Sequence, residues 1–199
     1  MKLTDYDNQT VRLTAVDGEA FEGVARTFPA EYGLREYGRE EEGIRLGTSV
    51  FFAGWIKTIE PMDPKELCGF YGAESVSDEI RELYRDLKHA WCAETCAPRM
   101  RPDWSEDNPT LGQCSITVFV VQDLLGGRVY GVPLPDGSFH CYNEVGGMTF
   151  DLTSEQFGEE KLNYVNNPEQ FREVHFASEE KRARYELLKK RLEDYRAQK

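Results

Sequence analysis

Long apolar runs are absent from this chain. Its 199 residues contain no stretch of roughly 18 or more consecutive apolar residues, which is what a membrane-spanning helix requires. The N-terminal segment MKLTDYDNQT also lacks the apolar stretch of a secretion signal. The sequence therefore predicts a cytoplasmic protein that does not enter the membrane.

Basic side chains are few compared with acidic ones. The chain has 24 Lys and Arg residues against 36 Asp and Glu residues, which gives a formal net charge of −12 at pH 7. A protein that follows a nucleic acid backbone needs a cationic surface, and anionic membranes repel an acidic protein. The charge therefore argues against nucleic acid and membrane partners.

Cysteine is present but follows no regular pattern. The five cysteines are Cys68, Cys92, Cys96, Cys114 and Cys141, and an odd number with uneven spacing predicts free thiols in a reducing compartment. Cys92 and Cys96 have no second pair at the spacing of a zinc site. No glycine-rich phosphate loop is present either. We therefore expect no metal site and no other cofactor.

Residues 1–62 have the short strands of a small β-barrel. Apolar and polar residues alternate across 9–28, with a tight-turn signal at Asp17-Gly18. A polar loop is expected over 29–43, and two more short strands follow it. Several short strands within about 60 residues favour a closed barrel over an open sheet.

Two segments of this region resemble the two halves of an Sm-like fold, a small barrel of the SH3-like kind. They are VRLTAVDGEAFEGVA (11–25) and IRLGTSVFFAGWIKTIEPM (44–62), and the resemblance rests on hydrophobic pattern and turn position. The family often forms rings through edge strands and binds RNA. The acidic loops depart from RNA binding, because they lack a clear Asn or Arg signature for a base pocket. A protein partner, or self-association through the barrel, stays open.

The rest of the chain predicts an α+β domain. Residues 63–76 are interpreted as a Pro- and Gly-containing linker, 77–177 as the domain itself, and 178–199 as a charged amphipathic helix. One apolar stripe on that last helix predicts that it docks on the body. The other expected elements are a helix over 78–91, strands at about 128–134, 138–142 and 148–152, and a capping box of Thr153 with Gln156.

Cys114 is a candidate nucleophile if segment 113–125 forms a helix. The segment contains a β-branched run that suits a strand, but its apolar spacing equally suits a buried helix that ends at Gly126-Gly127. In a helix, Cys114 lies in the first turn, where unpaired N–H groups and the helix dipole stabilise a thiolate. A stabilised thiolate is a nucleophile.

His140 and Asp151 are the candidate partners of this thiol, and their pairing depends on strand register. A four-residue loop pairs Asn143 with Met148 and places His140 opposite Asp151. A five-residue loop instead places His140 opposite Phe150. In the first register Asp151 orients the imidazole, and His140 acts as a base toward Cys114.

Structural roles for the same residues stay open. Free cysteine is often buried, and a histidine opposite an aspartate is often a structural pair. Gln113 either donates to an oxyanion or caps its own helix, and Asn143 either replaces Asp151 as the orienting group or serves the turn. Trp91 and Trp104 either line a cleft or belong to the core.

Residues 76–157 resemble the YunG-like family of small bacterial proteins, which implies a domain type but no established reaction. More distantly, a helix-borne Cys, a strand His and a next-strand Asp have an order similar to papain-like, transglutaminase-like and NlpC-type peptidase folds. The 26 positions from Cys114 to His140 are few for those enzymes. The positions that match the YunG-like family are Trp91, Glu94-Thr95, Trp104, Asn108-Pro109, Gly112-Gln113-Cys114, Val121-Gln122-Asp123, Gly126-Gly127, His140, Asn143, Asp151-Leu152-Thr153 and Gln156-Phe157.

Two function hypotheses follow. In the first, the α+β domain is a cysteine-hydrolase-like enzyme that cleaves an amide or acyl bond in a small molecule or peptide, with Cys114 as nucleophile, His140 as general base and Asp151 as orienting acid. In the alternative, the protein is a non-catalytic interaction or scaffold protein, whose barrel and C-terminal helix bind partners. RNA binding through the barrel is a third hypothesis, which the acidic charge disfavours.

Overall fold

The computed structural model describes residues 2–63 and 67–199. The chain divides into two compact units, Met1–Cys68 and Gly69–Lys199. Part of the predicted linker over 63–76, namely residues 64–66, lies outside the described residues.

The first unit is built on one antiparallel sheet. Its strand order is β4-β3-β2-β1-β5, and the predicted hairpin is confirmed, because β1 pairs with β2 and Leu13 lies opposite Phe21. Gly18 takes a φ of 95° in the turn, a left-handed value that glycine adopts without steric cost. The five strands are β1 Thr10–Ala15, β2 Ala20–Phe28, β3 Gly43–Leu46, β4 Ser49–Phe52 and β5 Ile56–Pro61.

This sheet is open, which corrects the prediction of a closed barrel. Within residues 2–63, strands β4 and β5 lie at opposite edges and do not pair with each other. A short 3-10 helix, Ala53–Trp55, follows β4 and leads the chain to the far edge, where Ile59 of β5 lies opposite Leu13 of β1. The resemblance to Sm-like barrels is therefore not confirmed.

The predicted polar loop over 29–43 contains a helix, α1 (Ala30–Tyr37). Aromatic packing explains this difference, since the rings of Tyr32 and Tyr37 each lie 5.6 Å from the ring of Phe28. The helix ends at Gly38, whose φ of 71° lets its N–H bond to the last turn. The side chains of this helix that pack on Phe28 are tyrosines with charged neighbours, so the segment shows no clear apolar period in the sequence.

The second unit is mixed α and β. Its sheet is three-stranded and antiparallel, in the order β6-β7-β8. The helices are α2 Asp78–Ala90, α3 Cys114–Leu125, the short α4 Arg172–His175, and α5 Glu179–Arg196; the strands are β6 Arg128–Pro133, β7 Phe139–Val145 and β8 Met148–Phe150.

Segment 113–125 is a helix, which settles the ambiguity between helix and strand. Tertiary packing overrides the β preference of its branched residues, because Ile116 to Val121 are all buried and α3 packs on β7 and α5. Gly126 follows with a φ of 73° and stops the helix as predicted. Cys114 is the first residue of α3.

The C-terminal helix docks on the second unit, as its apolar stripe predicted. Tyr185, Leu188 and Leu192 of α5 are buried, and α5 packs on both α2 and α3. Ser178 caps the helix by accepting a hydrogen bond from the N–H of Lys181. None of the helices in the described part of the chain combines the length and the apolar character that crossing a membrane would need.

Candidate active site

The register of the β7–β8 hairpin differs from both predicted registers. Val145 pairs with Met148, and Asn143 pairs with Phe150, so the turn contains only Gly146 and Gly147. Both glycines have positive φ values, 59° and 82°, which a two-residue hairpin turn needs. The prediction overlooked this tight Gly-Gly turn and assumed a longer loop.

The observed register still brings His140 and Asp151 together. Side chains alternate between the two faces of a sheet, so a shift of two residues keeps both on the same face. They are diagonal neighbours rather than directly opposite, a spacing that long side chains can bridge. His140 Nε2 lies 2.5 Å from Asp151 Oδ2, and each residue is only 1% exposed.

Asp151 is held by donors on both of its oxygens. Oδ1 accepts hydrogen bonds from the backbone N–H of Thr153 at 2.9 Å and from its hydroxyl at 3.0 Å. Oδ2 accepts from the hydroxyl of Tyr164 at 2.9 Å, in addition to the contact with His140. A buried carboxylate is stable when its lone pairs are satisfied in this way. Asp151 is therefore a fixed partner for the imidazole.

The imidazole of His140 is also held by packing. The ring of Phe157 meets it edge to face, with centroids 4.7 Å apart. Because Nε2 faces Asp151, Nδ1 is the nitrogen that remains for the thiol of Cys114. The thiol interacts electrostatically and by hydrogen bonding with His140, and it accepts a hydrogen bond from the N–H of Cys141.

The two titrating groups favour a thiolate–imidazolium pair. Burial alone would lower the pKa of His140, but the charges of Asp151 and Cys114 raise it from 6.5 to about 10. Burial raises the pKa of Cys114, but the charge and hydrogen bond of His140 outweigh it, and the net pKa lies below the ordinary 9.0. Both shifts favour a proton on the imidazole and a thiolate on Cys114, which is the form in which a cysteine sulfur acts as a nucleophile.

Cys141 provides a contrast within the same strand. Burial raises the pKa of its thiol well above 9.0, and the charge of Cys114 raises it further. Cys141 is fully buried, whereas Cys114 is partly exposed. Only Cys114 of this neighbouring pair thus combines access with a lowered pKa.

A cavity of about 670 Å³ adjoins this pair. Cys114, Ser115 and His140 line it, and α4 with the start of α5 contributes further lining residues. Apolar side chains contribute much of the remaining wall, which is common for small-molecule sites. These apolar lining residues are Ala97, Pro98, Met100, Leu111, Leu134, Phe139, Phe157 and Val174.

Two of the four predicted supporting residues, Gln113 and Asn143, bind backbone carbonyls through their amide groups. Gln113 is fully buried, its side chain makes no cap, and its Nε2 donates to the carbonyl of Cys92 at 3.1 Å. Asn143 Nδ2 donates to the carbonyl of Val118 at 3.0 Å, away from the imidazole. The orienting group of His140 is Asp151.

The two predicted cleft tryptophans do not line this cavity. Trp91 is 3% exposed, and its indole N–H donates to Thr117 Oγ1 at 3.0 Å. The indole N–H of Trp104 donates to the carbonyl of Pro109 at 3.1 Å. Trp91 therefore belongs to the buried core of the second unit, whereas Trp104 is partly buried.

Sequence reasoning missed Tyr164, Phe157 and the true role of Thr153. The predicted short helix is present as the 3-10 helix Ser154–Phe157, with Thr153 at its N-cap, and Gln156 Nε2 donates to the carbonyl of Thr153. The side chain of Thr153 makes no cap, because it binds Asp151. A signal existed in the spacing Asp-x-Thr, since an aspartate commonly accepts from the N–H two residues on. Tyr164 carries no local signal, because it reaches Asp151 across 13 residues of irregular chain.

The described residues, 2–63 and 67–199, contain no group of three or more His, Cys, Asp or Glu side chains placed to bind a metal ion.

Comparison with known proteins matches the second unit to one family. The family model described as YunG protein matches residues 79–197, from α2 to the end of α5, which extends beyond the predicted 76–157. A relative, the uncharacterised protein YunG of Bacillus subtilis (strain 168), is 38% identical over 71 residues. That match covers 36% of this chain and 56% of the relative, so the chain spans little more than half of that protein. No solved structure matches the chain.

Proposed function

The chain belongs to the YunG family, and from the geometry of its second unit we propose that it is a cysteine-hydrolase-like enzyme that cleaves an amide or related acyl bond. Cys114 is the nucleophile, His140 is the general acid and base, and Asp151 orients and stabilises the imidazolium. The observation that carries the proposal is the buried His140–Asp151 pair next to Cys114, a partly exposed residue that lines a cavity and whose thiol has a lowered pKa.

The reaction divides into two steps. The thiolate of Cys114 attacks the carbonyl carbon of the substrate, and a carbon–sulfur bond forms as the carbonyl oxygen takes the electron pair. His140 then donates its proton to the leaving amine, the carbon–nitrogen bond breaks, and a thioester remains. In the second step His140 takes a proton from water, the hydroxide attacks the thioester, and the acid and the thiolate are released.

The start of α3 supplies donors for the oxyanion that forms in each step. The N–H groups of Ile116 and Thr117 already bond to the carbonyl of Gln113. The first N–H groups of a helix have no partner within it, so those of Cys114 and Ser115 are the ones left for a developing negative charge. Donors held in place before reaction are often the largest single source of rate enhancement.

Gln113 acts as a positioning residue in this mechanism. Its amide ties the start of α3 to the carbonyl of Cys92, and this tie holds the backbone of Cys114 at the cavity. The order of helix Cys, strand His and following Asp supports the proposal by analogy with papain-like and transglutaminase-like enzymes. We propose the same hydrolase activity for the whole chain, and any role of the first unit in that activity is part of this proposal.

Alkylation by iodoacetamide between pH 5 and 9, followed by mass spectrometry of the peptides, tests the proposal. We expect Cys114 to react at pH 6 more than about tenfold faster than the partly exposed Cys92, because only a stabilised thiolate persists at that pH. His140→Ala should remove this advantage, since the imidazolium that stabilises the thiolate is lost.

Cys141 is the internal control, because its buried thiol should stay unlabelled in the folded protein. A Cys114 that reacts no faster than Cys92, or whose rate is unchanged by His140→Ala, would rule out the hydrolase. That result would favour the alternative, a non-catalytic interaction protein with a structural Cys–His–Asp cluster.

A further inference from the structure

The charged residues that line the cavity have a sign opposite to that of the whole chain. The chain has 36 acidic and 24 basic side chains, yet the cavity is lined by Arg99, Lys181 and Arg184 and by no Asp or Glu. A cleft lined by one sign of charge attracts ligands of the other sign. The cavity is thus suited to an anionic group.

Two of these three cations already have carboxylate partners. Arg99 Nη1 lies 2.7 Å from Asp136 Oδ2. Arg184 is buried, and its Nε lies 2.5 Å from Glu180 Oε1. Their charges are therefore compensated within the protein, and neither is the main attraction for an anion.

Lys181 differs from these two arginines. Its Nζ lies 3.2 Å from Nδ1 of His175, and no carboxylate in the described part of the chain comes within ion-pair distance of it. The residue is partly buried at the start of α5. An ammonium group that has lost water without gaining a counter-charge is costly unless a ligand supplies that charge.

His175 holds the ammonium in place as a neutral acceptor. Its Nε2 lies 3.3 Å from Gln170 Oε1, which fixes a proton on Nε2 and leaves the lone pair of Nδ1 for Lys181. Burial and the charge of Lys181 lower the pKa of His175 to about 4, so it adds no charge of its own near neutral pH. Gln170 and His175 also line the cavity.

We infer that the substrate is a small acyl compound that carries a carboxylate, and that Lys181 binds this carboxylate while Cys114 attacks the acyl carbon. The inference rests on the proposed function for the attack at Cys114. A volume of about 670 Å³ is that of a small-molecule site, so the compound is of dipeptide size or smaller. Lys181 is thus the residue that selects anionic over neutral substrates.

Two alkylating reagents that differ in charge test this selection. Iodoacetate carries a carboxylate, whereas iodoacetamide is neutral, and both alkylate a thiolate by the same displacement. The rate ratio of the two reagents at Cys114 is divided by their ratio at free N-acetylcysteine, which removes intrinsic reactivity. We expect Lys181→Gln to lower this normalised ratio by about tenfold, the effect of losing one close charge in a partly solvated cleft.

Lys190→Gln is the matched control. It removes the same charge from the same helix, but Lys190 is exposed, pairs with Asp194 and does not line the cavity. The ratio should therefore stay as in wild type. An equal ratio in wild type and Lys181→Gln, with Cys114 still reactive toward iodoacetamide, overturns the inference and leaves the hydrolase proposal standing.

Binding of succinate, measured by titration calorimetry against its neutral diamide, separates the two ideas further. Lys181→Gln should weaken succinate binding about tenfold and leave the diamide unaffected. Lys181-dependent succinate binding with an unreactive Cys114 would keep the anion site and remove the hydrolase. Succinate binding that does not depend on Lys181 contradicts the anion site.

Discussion

The two units of this protein differ in what they bury. The first unit has a mostly apolar core. Within the described range 2–63, Thr10 is the one polar residue that is buried as a whole, and the side chain of Glu22, 3% exposed, pairs with Arg12 at 2.9 Å. The second unit, residues 69–199, buries many polar and charged side chains. They are Arg81, Asp86, Thr95, Thr110, Gln113, Thr117, His140, Asn143, Asp151, Thr153 and Arg184.

This difference in buried polar residues is consistent with a reactive site in the second unit. Burying a polar group costs free energy unless a partner satisfies it, so a unit that needs only stability fills its core with apolar residues. The interior of the second unit instead contains a hydrogen-bond network, in which Asp151 accepts hydrogen bonds from His140, Thr153 and Tyr164. Such a network fixes the geometry of a site more precisely than apolar packing does.

The largest effect should come from breaking that network with Asp151→Asn. Asparagine has the same shape, but its NH₂ group meets donors where the carboxylate accepted hydrogen bonds, and His140 loses its counter-charge. Removing one partner of a buried ion pair destabilises a protein by about 3–5 kcal/mol. Urea unfolding, with hydrogen exchange to assign the loss to the second unit, measures the effect, and iodoacetamide labelling of Cys114 should slow.

Leu13→Ala in the first unit is the comparison that sharpens this result. Leu13 is fully buried in an apolar cluster, and such truncations cost about 2–5 kcal/mol. Leu13→Ala and Asp151→Asn should therefore destabilise the protein by similar amounts. Only Asp151→Asn should slow the labelling of Cys114, and Leu13→Ala should leave that rate unchanged. Slower labelling in both would mean that reactivity follows global stability rather than the Asp151 network.

The fold was predictable where the signal is local. The β1–β2 hairpin follows from alternation and Asp17-Gly18, and the C-terminal helix follows from its apolar stripe and Ser178. The closed barrel was not predictable in the same way, because closure depends on whether β4 meets β5 across the sheet. Strand pairings of that kind are set by tertiary packing rather than by the pattern of any one strand.

The candidate site was predictable in its three chemical residues but not in its supports. Cys114, His140 and Asp151 have types that suit nucleophilic catalysis, and one of the two registers that the sequence left open puts the last two on one face. The supports Tyr164 and Lys181 come from irregular chain and from the start of α5. Their positions depend on how distant elements pack, which no spacing in the sequence encodes.

The dependence of stability on pH offers a second, smaller test of the difference between the units. A His140 pKa raised from 6.5 to about 10 stabilises the folded state fully below pH 6.5, and this contribution is lost as pH rises toward 10. A Cys114 pKa lowered from 9.0 stabilises it above pH 9, and this contribution is lost as pH falls. In wild type the two slopes oppose each other between pH 6.5 and 9.

Cys114→Ser removes one of these slopes. Asp151 still raises the pKa of His140, so the free energy of unfolding should fall from pH 6.5 upward by up to about 1.4 kcal/mol per pH unit. Wild type should fall less steeply over the same range, because the lowered pKa of Cys114 contributes a slope of the opposite sign. Urea unfolding at pH 6, 7, 8 and 9 compares the two proteins, and parallel curves would show that thiol and imidazole do not share a proton.

The smallest effect should come from Arg39, a cation that lies over aromatic rings in the first unit. The guanidinium of Arg39 lies 5.0 Å from the ring centre of Phe52 and 4.9 Å from that of Trp55. Arg39→Gln removes these cation–π contacts and the ion pair with Glu41 at 2.6 Å, and it should lower the free energy of unfolding by about 0.5–1 kcal/mol, because both kinds of contact contribute little at an exposed position. Lys57→Gln at an exposed position of β5 should cost less. Labelling of Cys114 should be unchanged in both, because a charge that only stabilises a surface has no connection to the thiol. If alkylation of Cys114 were slower in Arg39→Gln but not in Lys57→Gln, the two units would not be independent, since the first unit would then contribute to the reactivity of Cys114 in the second.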